Sequence, residues 1–505
     1  MSPARRDDCL IVLGGLASLA LLLLNEQRVA GATGLPLDDS WIHLHFARNI
    51  AEGAGFSYNP GRPVAGSTAP LWTLLIALAS RVGASPLLAA KGLGIFFYLL
   101  SAISARRLAL AVVPERWAGL LAGLGTILMG RMAWGALSGM EVPLAATLVT
   151  LSFLGLTRGA AWWPWVGLGL AALARPEALL LTPLALLVRP RRVGSVVGRI
   201  FIVGAILFPR ALFSLTTVGS VFPATAVAKV EGGLLGLLAG TRGESLSMTF
   251  FSRPFDFLSE WGRLLLDDQP LFLLLIPAGL INLWRRRRRI WVALGALLIL
   301  HPIGMALLAP YRGPAFQEGR YSSHLLPFFV VMAVCGVAWI RDLLGRRVIA
   351  LAFIAWLAIE ASLLWPASLR YAWGVQNINA MQVHLGRWVD RELPRDARLA
   401  VNDVGAIAFF SRREVIDLMG LVTPEILPYR RQGETGILHN LEQVCPDYLI
   451  IFPNWFPQLS ARRDLFTEIY SVHLNRNLVS GGDTMVVYET VWNRWRVDVS
   501  PCPRT

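Results

Sequence analysis

Long apolar segments recur along most of the chain and stop near residue 365. Because a helix needs about 20 apolar residues to cross a bilayer, this pattern predicts an α-helical polytopic membrane protein with about eleven transmembrane helices. One further apolar run, residues 70–82, is short for a crossing, and the positions of the arginine clusters described below predict that it lies at the outer membrane face instead. The predicted spans are residues 10–24 (a retained signal-anchor helix), 87–110, 117–137, 142–156, 162–174, 179–188, 200–217, 270–284, 290–308, 325–340 and 348–365.

The polar remainder of the chain has a different periodicity. Residues 381–392 show apolar positions at helical spacing, and short runs rich in β-branched and aromatic residues follow. This alternation predicts a C-terminal soluble α/β domain, with strands near residues 398–402, 415–418, 448–452 and 485–488. We therefore divide the chain into a transmembrane catalytic domain at residues 1–370, which contains a first outer loop at 31–86, and an extracytoplasmic domain at 375–505.

Composition and charge support a multi-pass protein of the cell (inner) membrane. Hydrophobic residues make up 55% of the chain, charged residues 16%, and the mean hydropathy is +0.53, whereas soluble chains carry about 25% charged residues. The net charge of +14 comes largely from arginines between apolar runs, as at residues 106–107, 189–192 and 285–289. Such clusters mark cytoplasmic loops, and all three fall inside if residues 70–82 do not span. The charge thus argues against a nucleic-acid partner and predicts a cytoplasmic N-terminus.

The four cysteines show no spacing typical of a metal site. Cys9 and Cys335 lie in apolar runs, where packing is the expected role. Cys445 and Cys502 lie in the predicted extracytoplasmic domain, where a disulfide and two free thiols are both open.

Several ionisable residues fall at the predicted outer ends of spans, where charged groups are costly and usually functional. Asp38 and Asp39 open a predicted helix, and one acid there would favour the helix dipole. Two adjacent acids suggest in addition that one carboxylate acts as the general base for a hydroxyl. In the HxH pattern that follows, His43 and His45 point in different directions on a helix, so we expect one to face the site and the other to pack.

Other outer-face residues supply complementary charge. Glu141 is a second candidate catalytic acid, and with Asp39 it is the candidate ligand pair for a divalent metal such as Mg²⁺ or Mn²⁺, although the pattern requires no cofactor. Lys229 and Arg320 are expected to bind a phosphate, and lipid-headgroup anchoring by these long side chains is the alternative. His43 is a further candidate substrate contact, as are Arg175 and Glu177 (with a structural ion pair as the alternative) and Tyr321.

The segments that carry these residues resemble a known family. Residues 38–72, DDSWIHLHFARNIAEGAGFSYNPGRPVAGSTAPLW, are similar to the first outer loop of bacterial GT-C membrane glycosyltransferases. The resemblance is closest to the mycobacterial-type terminal arabinofuranosyltransferases, with their DDAYI…YNPG…LW pattern. Further stretches recur in that family in the same order: SGME at 138–141, ARPEALL at 174–180, FPATAVAK at 222–229, GRYSSHLLP at 319–327 and VNDVGAIAFF…VIDLMGL at 401–421.

The resemblance implies a GT-C fold, a polyprenyl-phosphate monosaccharide as donor, and transfer on the extracytoplasmic face with an acid of the Asp38–Asp39 pair as base. Ser40 and Trp41 stand where Ala-Tyr is commoner, and Ser67-Thr68-Ala69 precedes Pro70, so the family's sugar and acceptor are not carried over. We expect an inverting hexosyl- or pentosyltransferase. Its partners would be the lipid-linked donor, a cell-envelope glycan, lipid or protein acceptor, and membrane lipids.

Three alternatives compete with this interpretation. Protein O-mannosyltransferase-like and lipid A aminoarabinose transferase-like enzymes share the superfamily and differ in the acceptor. A transporter would place ionisable residues near the bilayer midplane, usually in repeated halves, whereas no internal repeat is visible here. A non-enzymatic assembly scaffold would have no need for an acid pair that faces a pair of cations.

Overall fold

The structure, a computed structural model, describes residues 2–188, 193–229, 232–238, 245–308 and 313–493. The arginine cluster at residues 189–192 and Cys502 lie outside these ranges. The choice between a Cys445–Cys502 disulfide and two free thiols therefore lies outside them as well. The regular secondary structure of the N-terminal part is helical, apart from an isolated β-bridge between Ser57 and Pro63. Its helices are α1 (Pro3–Ala30), α2 (Asp38–Ala51), α3 (Pro70–Arg81), α4 (Pro86–Val112), α5 (Arg116–Leu128), α6 (Gly130–Leu137), α7 (Val142–Thr157), α8 (Trp163–Ala174), α9 (Leu181–Val188), α10 (Val193–Val218), α11 (Ala224–Lys229), α12 (Gly233–Leu238), α13 (Arg253–Asp268), α14 (Phe272–Arg286), α15 (Arg288–Leu308), α16 (Phe316–Gly319), α17 (Leu326–Leu344) and α18 (Arg346–Ile378).

Each predicted span overlaps a helix, but the helices differ in length. Within the described ranges, six helices are long and apolar enough to cross a membrane, or up to eight if each bent pair forms one span. One such pair joins α5 to α6 at 59°, and the other joins the segment that ends with α13 to α14 at 103°. The shorter apolar helices include α3, which is the run predicted not to cross, together with α7 and α8. The chain is a multi-pass membrane protein, and eleven crossings remain a prediction.

The C-terminal part forms a small α/β unit around a five-stranded sheet of order β2-β1-β3-β5-β4. The internal strand β1 pairs in parallel with β2 and β3, and β5 pairs antiparallel with β3 and β4. The elements are α19 (His384–Glu392), β1 (Arg398–Val401), α20 (Gly405–Ser411), β2 (Glu414–Asp417), α21 (Leu427–Arg430), α22 (Gly433–Val444), β3 (Tyr448–Ile451), α23 (Pro457–Ser460), β4 (Phe466–His473) and β5 (Thr484–Thr490). Sequence patterns predict four of these strands and miss β4, which lies at the sheet edge and is largely exposed.

No break in the chain separates the two parts at the predicted boundary. Helix α18 runs without interruption from Arg346 to Ile378 and continues through a π-helical turn, Asn379–Val383, directly into α19. The division into residues 1–370 and 375–505 therefore remains a prediction.

Helix α2 of the first outer loop is buried between the membrane helices and the C-terminal unit. Helix α2 is buried at every position from Ser40 to Asn49. On one side Trp41 packs against Phe409 and Phe410 of α20, with ring centroids 5.1 and 4.9 Å away. On another side Leu44 and Trp72 share an apolar cluster with α4 and α7. Helix α2 is thus held from both sides, which fixes the direction of the acidic residues at its N-terminus.

Candidate active site

The N-terminus of α2 brings an acid to two cations that come from distant parts of the chain. Asp39 Oδ2 accepts a hydrogen bond from Arg320 Nη2 at 2.5 Å and lies 3.6 Å from Lys229 Nζ. Lys229 ends α11, and Arg320 stands in the turn between α16 and α17. Burial alone would raise the pKa of Asp39, but Lys229 and Arg320 hold it well below its usual range. The Asp39 carboxylate is therefore charged, and two cations compensate that charge.

His43 lies one helical turn after Asp39 and extends the site along the same face of α2. Its Nε2 is 3.7 Å from Glu141 Oε2, and its Nδ1 is 3.2 Å from both Thr73 Oγ1 and Ser67 Oγ. Burial lowers the pKa of His43 although Glu141 and Asp39 oppose this shift, so the imidazole is neutral at pH 7. It therefore serves as a hydrogen-bonding group between the two acids.

Glu141 reaches the site through a tight turn that requires glycine. Gly139 has φ of 76°, a left-handed conformation, and a Cβ there would come within 2.9 Å of Leu35 Cδ2. The hydroxyl of Ser40 on α2 donates a hydrogen bond to the carbonyl of Ser138 at 2.7 Å, which fastens the turn to the first outer loop. This turn places Glu141 at the start of α7, where it is buried and faces α2.

Arg175 and Tyr321 complete the charged cluster. Arg175 Nη1 donates to Glu141 Oε1, and Arg175 Nε is 3.4 Å from Glu177 Oε2. The Arg175 guanidinium also lies over the Tyr321 ring, 4.7 Å from its centroid. Tyr321 in turn accepts a hydrogen bond from Arg320 Nη2 at 3.1 Å. The Glu141–Arg175 pair is thus connected to the Asp39–Arg320 pair. Together with Lys229, these residues come from five separate segments, all predicted to lie outside, and form one cluster.

Asp38 follows a different course from its neighbour and faces the C-terminal unit. Its Oδ2 and Oδ1 accept hydrogen bonds from the backbone N–H groups of Gly405 and Ala406, at 2.7 and 2.8 Å. Burial, and next the charge of Asp403, raise the pKa of Asp38 well above its usual range. His45 likewise turns away from the site and bonds through Nε2 to the Tyr58 carbonyl at 2.9 Å. Asp39 and His43 therefore belong to the charged cluster, whereas Asp38 and His45 bond to backbone groups outside it.

Asp39 and Glu141, the predicted metal ligands, are both paired with cationic side chains. Within the described ranges, no group of three or more His, Cys, Asp or Glu side chains could hold a metal ion. Asp39 is paired with Lys229 and Arg320, and Glu141 with Arg175. Because both carboxylates already have cationic partners, this arrangement does not fit a divalent cation, and we derive no step through one.

Asp403 is the residue at this site that sequence reasoning missed. It lies in the stretch VNDVGAIAFF, whose resemblance to the family was noted without assigning a role to the acid. Its position directly after a predicted strand was the available signal, since the carboxyl ends of parallel strands are where open α/β sheets bind ligands. Ser67 and Thr73, which contact His43, were also not singled out as site residues.

Solved membrane proteins share this fold. The Archaeoglobus fulgidus oligosaccharyltransferase in complex with Zn and sulfate aligns with a TM-score of 0.59 and 13% identity over 95% of this chain and 73% of that chain. Oligosaccharyltransferase AglB from Archaeoglobus fulgidus, with an inhibitory peptide and a dolichol-phosphate, aligns with a TM-score of 0.59 and 11% identity over 97% and 74%. ArnT from Cupriavidus metallidurans, bound to undecaprenyl phosphate, aligns with a TM-score of 0.51 and 12% identity over 94% and 97%.

The chain therefore shares its fold with these solved proteins, in agreement with the GT-C fold that the sequence resemblance implies. In sequence, a family model described as a domain of unknown function, DUF8728, matches residues 376–488. No curated protein matches the chain. Because one fold supports many activities, the activity has to be argued from the site.

Proposed function

We propose that this protein is an integral membrane glycosyltransferase that moves a monosaccharide from a polyprenyl-phosphate donor to a hydroxyl of a cell-envelope acceptor on the extracytoplasmic face. The observation that carries the proposal is the contact of Asp39 with Lys229 and Arg320. At this contact a carboxylate, which can accept the proton of a hydroxyl, lies next to two cations, which can bind a phosphate. The GT-C fold, and the dolichol-phosphate and undecaprenyl phosphate named with its solved relatives, support a lipid-phosphate donor.

Lys229 and Arg320 would bind the donor phosphate. Phosphate oxygens compete with Asp39 for these cations, because both make charge-assisted hydrogen bonds with a guanidinium or an ammonium group. As the bond between the anomeric carbon and the phosphate oxygen breaks, the bonding electron pair passes to that oxygen, and the two cations stabilise the developing negative charge. A phosphate leaves readily as an anion, so the site needs no general acid.

Asp39 would act as the general base once the donor is bound. The two cations that depress its pKa are then engaged by phosphate, and burial, which raises the pKa, brings Asp39 closer to the range of an effective base. The acceptor oxygen attacks the anomeric carbon opposite the phosphate, its proton passes to Asp39, and the configuration inverts. Neutral His43 and the Arg175-bound Glu141 would orient the reactants beside it.

Mass analysis of envelope glycans, in cells with and without the full chain, tests this proposal. We expect a product that is heavier by one monosaccharide only when the chain is present. Asp39→Asn should lower that product about 100-fold or more at an unchanged protein level, since general-base catalysis contributes about 10²–10⁴-fold. Asp464→Asn, which changes an exposed acid paired with Arg462, is the matched control and should keep full activity. Identical glycans in both cells, or an active Asp39→Asn variant, would overturn the proposal.

A further inference from the structure

Asp403 is presented by the C-terminal unit toward the membrane part of the site. It follows the internal strand β1 by two residues and precedes α20, the helix that packs on α2. Strand β1 is parallel to both of its neighbours, and ligands of open parallel sheets bind outside the carboxyl ends of the strands. The fold thus places Asp403 at the edge where such a sheet commonly binds a ligand.

The ordinary structural role for an acid at this position would be to cap α20, and Asp403 does not do so. Helix α20 has no side-chain hydrogen bond from its own N-cap residue, Val404. The carboxylate of Asp38 binds the first N–H groups of the helix instead. A Cβ on Gly405 would come within 2.1 Å of the Asp38 carbonyl oxygen, so this close contact leaves no room for a side chain there. Asp38 of the first outer loop therefore caps α20, and the Asp403 carboxylate takes no part in capping.

The Asp403 carboxylate has one oxygen without a protein partner. Its Oδ2 accepts a hydrogen bond from Gln382 Nε2 at 2.8 Å. Among the described residues, Oδ1 has no hydrogen-bond partner and no cation lies within ion-pair distance of the side chain. Asp39 and Glu141, by contrast, are both paired with cations.

The charges that face Asp403 are acidic. The charge of Asp403 interacts with those of Asp38 and Asp39 on α2 and of Asp417 at the end of β2. Burial raises the pKa of Asp403 above its usual range, against the hydrogen bond from Gln382, and the charges of Asp39 and Asp417 add to this shift. A surrounding of this kind repels phosphate and favours a neutral ligand that donates hydrogen bonds.

We propose that Asp403 is a substrate-binding residue of the active site and that its free carboxylate oxygen accepts a hydrogen bond from a hydroxyl group of the acceptor. The proposal rests on the proposed glycosyl transfer and adds the acceptor side to it. The donor phosphate binds at Lys229 and Arg320, and the acceptor hydroxyl binds at Asp403, on the side of the site that the C-terminal unit forms. The acceptor is accordingly a hydroxyl-bearing molecule that enters along the extracytoplasmic domain.

Two readouts on the full chain separate an acceptor role from a structural one. The first is the glycan product in cells, and the second is binding of undecaprenyl phosphate to the purified protein. Asp403→Asn should lower the product about tenfold or more, because a hydrogen bond to a charged group is lost, while undecaprenyl phosphate binding stays within about twofold of the unsubstituted chain. Asp464→Asn is the control for both readouts.

A conservative variant tests whether the carboxylate itself matters. Asp403→Glu should recover part of the product, and in isolated membranes it should shift the acid limb of the pH–rate profile, which a purely structural side chain would leave unchanged. Full product from Asp403→Asn would overturn the inference. A parallel loss of product and of undecaprenyl phosphate binding would also overturn it. Failure of the proposed function itself would give a different result, because the envelope glycans would then be the same with and without the unsubstituted chain.

Discussion

Asp38 and Asp39 are adjacent on α2, so their side chains leave the helix about 100° apart. One meets the N–H groups of Gly405 and Ala406, and the other meets the cation Arg320. Helical geometry alone predicts that the two acids diverge. It does not predict what each one contacts, because the partners lie hundreds of residues away in the chain. For this reason the sequence alone indicates a neighbourhood for the site but leaves the choice of base open between the two acids.

The cations of the site should dominate binding of the lipid phosphate. Arg320 is buried and bonded to both Asp39 and Tyr321, whereas Lys229 is half-buried. We expect Arg320→Ala to weaken binding of undecaprenyl phosphate to the purified chain about tenfold or more, and Lys229→Ala to weaken it less. Arg320→Lys should bind with intermediate strength, since an ammonium lacks the planar fork that reaches two partners.

The matched control is Arg462→Ala, which removes an exposed arginine paired with Asp464. Its binding of undecaprenyl phosphate should equal that of the unsubstituted chain. Unchanged binding in both Arg320→Ala and Lys229→Ala would show that the donor phosphate does not bind at these cations.

At the scale of elements, α2 shows where sequence patterns stop being informative. The pattern predicts an amphipathic helix, but α2 is buried all round because its polar side chains find partners in distant loops. Asn49 donates to the carbonyls of Ser57 and Tyr58, and Arg48 donates to that of Phe409. Polar residues become compatible with burial once they are hydrogen-bonded. A periodicity argument cannot anticipate such partners, whereas the length of the apolar run did predict that α3 is short.

The junction between α2 and α20 should be sensitive to a single methyl group. In Gly405→Ala the added Cβ would meet the Asp38 carbonyl oxygen at 2.1 Å, so α20 must move away from α2. We expect a loss of about 1–3 kcal/mol in stability, as for other overpacked positions, together with a reduced glycan product. Gly262→Ala is the control, because a Cβ on Gly262 has no atom within 4 Å.

Asp38→Asn tests the same junction by another route. An amide has one acceptor oxygen, so it cannot serve both N–H groups as the carboxylate does. Thermal unfolding of the purified full chain and the glycan product should both shift in the direction of Gly405→Ala. If Gly405→Ala behaves like Gly262→Ala, the packing of α20 on α2 does not position the site.

At the scale of the whole molecule, the ion pairs on the predicted inner side are separate from those of the active site. On the predicted inner side, Asp7 contacts Arg106 and Arg116 at 3.3 and 2.7 Å, and Glu115 contacts Arg341 at 2.8 Å. The residues predicted to lie outside contact one another at the active site. The positive-inside rule assigns these loops to two sides of the membrane, because the positions of the arginines can be read directly from the sequence. The number of crossings was harder to predict, since bent pairs such as α5–α6 interrupt what reads as one apolar run.

The absolute orientation of the two groups decides whether the site can act on the cell envelope. We expect the C-terminal unit outside and the arginine-rich turn between α14 and α15 inside, because clustered arginines stay cytoplasmic. A membrane-impermeant maleimide should label Asp464→Cys in intact cells, and should label Arg287→Cys only after permeabilisation. The unsubstituted chain measures the background from the native cysteines. The reverse pattern would place Asp39, Lys229 and Arg320 on the cytoplasmic face, and transfer to an extracytoplasmic acceptor would then be impossible.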